Sequence, residues 1–139
     1  MTLYAALLYY PADSYWTTPE EAEWSADYAA FGAAAGAAGV LRGRMQRLPA
    51  AKHPSGGEAL HPAGTATTIA YAGGKNSDLA ITDGPYAEAK EVLGGFYLVE
   101  AADLDEAVRW AAQIPAAWRG KVELRPVVPM NGPSVTAGG

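Results

Sequence analysis

The 139-residue sequence has no cysteine, which excludes disulfides, thiolate metal sites and a cysteine nucleophile. Basic residues are few: ten lysines and arginines stand against fifteen aspartates and glutamates, a formal net charge of −5. Arg42, Arg44 and Arg47 make the only short basic group. Sequence-tolerant nucleic-acid binding needs a basic surface that displaces counterions, so no direct contact with nucleic acid is expected. Long apolar runs are also missing. The stretch from Tyr28 to Leu41 is too short and too glycine-rich to cross a bilayer, which takes roughly 20 residues. Gly32 and Gly36 within it suit close helix packing better than membrane dimerisation. No basic segment precedes an apolar one at the start, so neither a signal peptide nor a membrane association is expected, and a cytoplasmic location follows by default. No glycine-rich run opens a helix at phosphate-loop spacing, and no serine sits in a nucleophile elbow. His53 and His61 alone fall short of a metal-ligand set; with Glu58 between them three ligands are available in principle, but plain residues of a Pro/Gly-rich loop are the preferred reading, and no metal or cofactor is expected.

Half of the residues are hydrophobic, the balance of a globular chain. Much of that half is alanine, so the core must rest on a few large anchors. Trp16, Trp24, Tyr28, Phe31, Phe96, Tyr97, Trp110 and Trp118 are the candidates. The length fits one domain over residues 1–130, with residues 131–139 as a loose tail.

The apolar run Leu3 to Tyr10 predicts a strand buried on both faces. Thr18-Pro19-Glu20-Glu21 has the form of a capping box with proline at the first helical position. Trp24, Tyr28, Phe31 and Ala35 then recur on one helical face until Gly39 stops the helix. Val40 to Leu48 reads as a second strand, and Pro49 to Gly64 as a long loop. Thr65 to Ala72 is rich in strand formers. The turn residues Gly73-Gly74-Lys75-Asn76 let Leu79 to Thr82 pair back. Asp83-Gly84-Pro85 is a sharp turn, and Gly95 to Glu100 a further strand. Asp103-Leu104-Asp105-Glu106 is a second capping box, preceding the stripe Leu104, Ala107, Val108, Ala111 and Ala112. Pro115 ends that helix, and Val122 to Val128 is the last strand.

The order is β-α-β, a hairpin region, then β-α-β. It predicts an α+β, ferredoxin-like antiparallel sheet with both helices on one face. One row of the first strand would then be left uncovered. The row Tyr4, Ala6, Leu8 and Tyr10 is assigned to that side, and a homodimer is the simplest cover for it.

Asp83-Gly84-Pro85-Tyr86-Ala87-Glu88-Ala89-Lys90-Glu91, followed by Leu93-Gly94-Gly95-Phe96, resembles the signature of the DGPF branch of the YCII-related family. The likeness extends to the opening strand Tyr4 to Tyr10, the helix Asp103 to Ala112 and the closing Glu123-Leu124-Arg125-Pro126. Tyr86 stands where the signature has phenylalanine, and Ala89 where it has threonine. The resemblance implies a dimeric α+β barrel with clefts near the interface. Some YCII-type proteins resemble small acid–base enzymes built on a His–Asp pair with the histidine near the first helix; Pro19 to Ala38 here contains none. Proteins of the DGPF branch are also often linked to extracytoplasmic-function sigma factors.

Two functions follow as expectations. The first is a cofactor-independent lyase or isomerase, with Asp83 as base and Tyr97 or Tyr86 as proton donor. The second is a non-catalytic ligand-binding or regulatory dimer. For Asp83 the plainer role is a turn that caps backbone amides. Lys90 beside Asp83 would make a polar end for an anionic or hydroxylated ligand. Arg42, Arg44 and Arg125 are candidate anchors for such a ligand, and equally fit a wet strand face or an interface. Tyr9, Tyr86 and Tyr97 are candidates to line an aromatic ligand site, with core filling as the alternative.

Overall fold

The computed structural model describes residues 1–12, 21–42, 57–60, 63–86 and 90–129, with the backbone alone for 21–25. The strands are β1 (Thr2–Pro11), β2 (Leu41–Arg42), β3 (Gly57–Ala59), β4 (Thr67–Tyr71), β5 (Leu79–Asp83), β6 (Glu91–Ala101) and β7 (Lys121–Pro126). The helices are α1 (Glu21–Ala37), α2 (Leu104–Ala111) and α3 (Ala116–Arg119). The main sheet runs β2-β6-β1-β7, with β3 also on β6, and every pairing in it is antiparallel. That is the expected ferredoxin-like α+β arrangement. β4 and β5 form a separate two-stranded ribbon.

Helix α1 ends as its glycine requires. Gly39 takes a φ of 71°, its amide bonds the Gly36 carbonyl, and the Val40 amide bonds that of Ala35. These two bonds are the paired closures that a left-handed glycine permits. The α2 cap also forms, with its return bond one residue early: Asp103 Oδ1 accepts from the Glu106 amide, and Glu106 Oε2 accepts from the amide of Ala102, the residue before the cap. The cap expected at Thr18 lies outside the described residues.

The open side of the sheet is the reverse of the expected one. Tyr4, Ala6, Leu8 and Tyr10 are buried, packed with Phe31 and Ala35 of α1, Ala107 and Ala111 of α2, and Ala116 of α3. Leu3, Ala5, Leu7 and Tyr9 face the other way and are half-buried. Both rows are apolar, so the partner strands decide. Antiparallel register puts Val99 opposite Tyr4 and Leu124 opposite Ala6, but Glu123 opposite Leu7 and Arg125 opposite Ala5. Charged partners cannot be buried unpaired beneath helices.

Three other expectations need correction, and a fourth is described only in part. Helix α2 buries only its alanines 107 and 111, while Leu104 and Val108 stay exposed, because small side chains let the helix sit close to the sheet. Of the expected second strand, Val40 to Leu48, the described residues form Leu41–Arg42, with Val40 buried just before it, and residues 43–48 lie outside them. The expected loop contains β3 and a 3-10 turn at Ala63–Thr65. Trp118 is 59% exposed instead of anchoring the core; its indole N–H donates to the Ala112 carbonyl.

Candidate functional site

Residues of three chain segments meet at the far end of β1. Pro11 and Ala12 leave β1, Lys90 and Glu91 lead into β6, and Arg119, Gly120 and Lys121 join α3 to β7. Together they line an open cleft of about 570 Å³. The Ala12 amide donates to the Lys90 carbonyl at 2.7 Å, tying two of the segments together. Glycine at position 120 is a steric requirement. A Cβ there would lie 1.9 Å from the Tyr9 carbonyl oxygen, so the α3–β7 turn can press against β1 only without a side chain. Arg119 and Lys121 are thereby held on either side of that approach. Lys121 Nζ is paired with the Glu91 carboxylate, and Lys121 is largely exposed.

Of the residues expected to matter, Lys90 is the one that lines this cleft. Asp83 closes β5 and is exposed, and among the described residues its carboxylate accepts no hydrogen bond. The turn it begins is structural: Gly84 has a φ of 97°, its amide donates to the Ala66 carbonyl, and its carbonyl accepts from Thr68 Oγ1. Tyr86 is 91% exposed. Tyr97 lies on the helix side of β6, its ring 5.1 Å from Phe31 and edge-on to it. No hydrogen bond or ring contact among the described residues joins Asp83, Tyr86 and Tyr97. Arg42 is already engaged, with Glu100 at 3.0 Å and with the Gly39 and Leu41 carbonyls. Arg125 is exposed on β7 and Tyr9 half-buried on β1, both on the open face. Arg44, His53 and His61 lie outside the described residues. Arg119, the last residue of α3, has no signal in the sequence beyond being a cation two residues before a strand.

A second polar group lies under the helices. The Tyr10 and Tyr28 hydroxyls are hydrogen-bonded to each other, and the Ala116 backbone amide also bonds Tyr28. That amide is in the first turn of α3, where a helix leaves its donors unpaired. Burial raises the pKa of Tyr10, Tyr28 and Tyr97, with Tyr97 pushed up to about 12. For Tyr10 the bond to Tyr28 works against burial. Unfolded tyrosine ionises near 10. The folded forms keep their protons longer, so their stabilising contribution is complete below about pH 10 and is lost as pH climbs through the folded values. Denaturation midpoints should hold level to about pH 10 and then fall towards about 12. Tyrosinate absorbance checks this: if all eight tyrosines of the folded chain ionise together near the ordinary value, the buried trio is not as described.

The fold and this site define a small α+β protein with helices on one sheet face and a charged cleft at one end. The YCII-related domain model matches residues 2–131, and the chain belongs to that family. It is also similar to an uncharacterized protein of Rhizobium meliloti (strain 1021), at 40% identity over 70 residues. That stretch covers 49% of this chain and 54% of the relative, so the match spans about half the relative's length. Among the described residues, no helix is long and apolar enough to cross a membrane.

Proposed function

We propose that the protein is a ligand-binding homodimer that holds a small molecule in the cleft at the end of β1. One observation carries this reading: Lys90 and Glu91, which end the signature segment, converge with the α3–β7 turn on a single concave volume. The acid–base alternative has less support. A general acid works best with a pKa near the operating pH, and burial takes Tyr97 far from neutrality. Asp83 stands apart on the ribbon. A regulatory use, in which ligand occupancy is passed to a partner such as a sigma factor, falls within the binding reading.

The homodimer covers the open face. Leu3, Ala5, Leu7, Phe96 and Leu98 form an apolar centre there, with charged residues of both signs around it. On β7 the open-face side chains run Lys121, Glu123, Arg125. A two-fold axis can set such an alternating row against its own copy with opposite charges meeting. Lys121 and Glu91 belong both to this face and to the cleft, so the cleft lies at the rim of the interface.

Thermal unfolding across a metabolite panel tests the binding reading. A ligand at 100 times its Kd should stabilise the fold by about 2.7 kcal/mol, and Ala12→Trp, which fills the cleft from an exposed position, should abolish the shift without lowering the unliganded midpoint. Turnover of a panel member that is lost in Tyr97→Phe would replace this reading with the enzymatic one.

A further inference from the structure

Among the described residues, the β4–β5 ribbon stands outside the main sheet. Its register pairs Ile69 with Ile81 and Tyr71 with Leu79, so these four side chains share one face. All four are exposed, between 48% and 65%. The opposite face carries only small or hydroxylic residues: Thr68, Ala70, Ala80 and Thr82. Hydrogen bonds close the ribbon at both ends. At the tip the Gly74 amide donates to the Tyr71 carbonyl, while Ser77 Oγ accepts from the Gly73 amide and donates to the Gly74 carbonyl. At the base the Gly84 amide donates to the Ala66 carbonyl, and Thr68 Oγ1 to the Gly84 carbonyl. These bonds fix the shape of the arm and leave its apolar face uncovered. A two-stranded hairpin is at best marginally stable in water unless it packs against something.

We propose that this face packs on the same face of a second copy, as an arm of the homodimer. The inference rests on the homodimer reading and adds a second contact to it. Symmetry favours a second copy: a two-fold axis sets the apolar middle of one ribbon on that of the other, with Thr67 and Asp83 left at the base end. Chain continuity favours it too. β3 pairs on β6 in the sheet whose open face is the dimer surface, and the ribbon is inserted between β3 and β6. The area is also what an accessory contact needs. At those exposures the four side chains present roughly 400 Å² of apolar surface. A patch of that size is already large for a monomer, where the largest is about 300–600 Å². A stable interface takes about 800 Å² from each partner. The ribbon therefore reinforces a dimer held by the open face and is too small to hold one alone. The exposed Leu104 and Val108 of α2 lie on the helix side of the sheet, away from that surface, so the partner's ribbon is the better counterpart.

Sedimentation equilibrium of the full chain tests this with one position carrying either charge. Ile81→Lys and Ile81→Glu should each weaken the dimer at least about tenfold, because like charges meet across the axis. An equimolar mixture of the two should recover most of that loss, since opposite charges then face each other. Ala80→Lys, on the other face of the ribbon, should leave the dimer at wild-type strength. Circular dichroism confirms that each variant is folded. Hydrogen exchange adds a readout that needs no ribbon substitution. The cross-strand amides of the ribbon should exchange more slowly in the wild-type dimer than in a monomeric Leu7→Lys chain. Equal exchange in the two overturns the inference. So does a mixture that pairs no better than either charged variant alone, or an Ala80→Lys as disruptive as Ile81→Lys. If the Ile81 variants pair as wild type does, the ribbon contact falls while the homodimer through the open face stands. A wild-type chain that sediments as a monomer removes both.

Discussion

Leu7→Lys is expected to turn the proposed dimer into a folded monomer in sedimentation equilibrium. Leu7 sits at the middle of the open face, between Phe96 on β6 and Glu123 on β7. A lysine there gains an opposite charge directly across the strand pair, so the isolated subunit keeps its fold. In the dimer the same ammonium is taken out of water, and symmetry imposes the penalty on both subunits. The effective cost is several kcal/mol per ion, and each 1.4 kcal/mol is about tenfold in the dissociation constant. Leu104→Lys serves as the control. Leu104 is exposed on α2, on the opposite side of the sheet, and its substitution should leave the dimer intact. A wild-type chain that sediments as a monomer, or a Leu7→Lys variant that still pairs, removes the open face as an interface.

The features legible in the sequence are those whose cause is local. Gly39 ends α1 because the closing bonds need a left-handed residue there, and a glycine after an apolar helical run announces it. The α2 cap is written in four consecutive residues, Asp103 to Glu106. The order of strands and helices, and so the ferredoxin-like fold, follows from such local signals. The covered face of β1 was not legible, because its two rows are equally apolar. The answer lay in β7, where Val122 and Leu124 alternate with Glu123 and Arg125, but using it required the register between distant strands. The apolar stripe on α2 is wider than the face the helix buries, for a related reason. Periodicity marks a face, while packing on the sheet covers only part of it, Ala107 and Ala111, and leaves Leu104, Val108 and Ala112 exposed. The cleft was the least legible feature. Its lining residues come from three segments, and only Lys90 carries a hint, through the resemblance of its segment to the DGPF-type motif. The two glycines of that signature, Gly94 and Gly95, likewise look like simple motif letters until the strands are paired.

Gly94→Ala is expected to destabilise the fold by about 2–4 kcal/mol, as overpacking plus one disturbed hydrogen bond. In the β1–β6 register Leu8 pairs with Gly95 and Tyr9 with Leu93, so Gly94 is the extra residue of a β-bulge. A Cβ at Gly94 would lie 2.5 Å from Cδ2 and 2.7 Å from Cε2 of Tyr10. The ring has little room to yield. Tyr10 is buried, and its hydroxyl is bonded to Tyr28, which in turn bonds the first turn of α3. Moving the ring therefore disturbs the contact between α1, α3 and the sheet, and leaves a buried hydroxyl short of its partner. A double-mutant cycle separates this from a generic effect of altering a strand. With Tyr10→Ala in place the obstructing ring is absent, and adding Gly94→Ala should then cost well under 1 kcal/mol, since alanine is no worse a strand residue than glycine. Equal costs in the two backgrounds would mean that the bulge glycine answers to backbone conformation alone. In that case the tyrosine ring does not explain the glycine at this position.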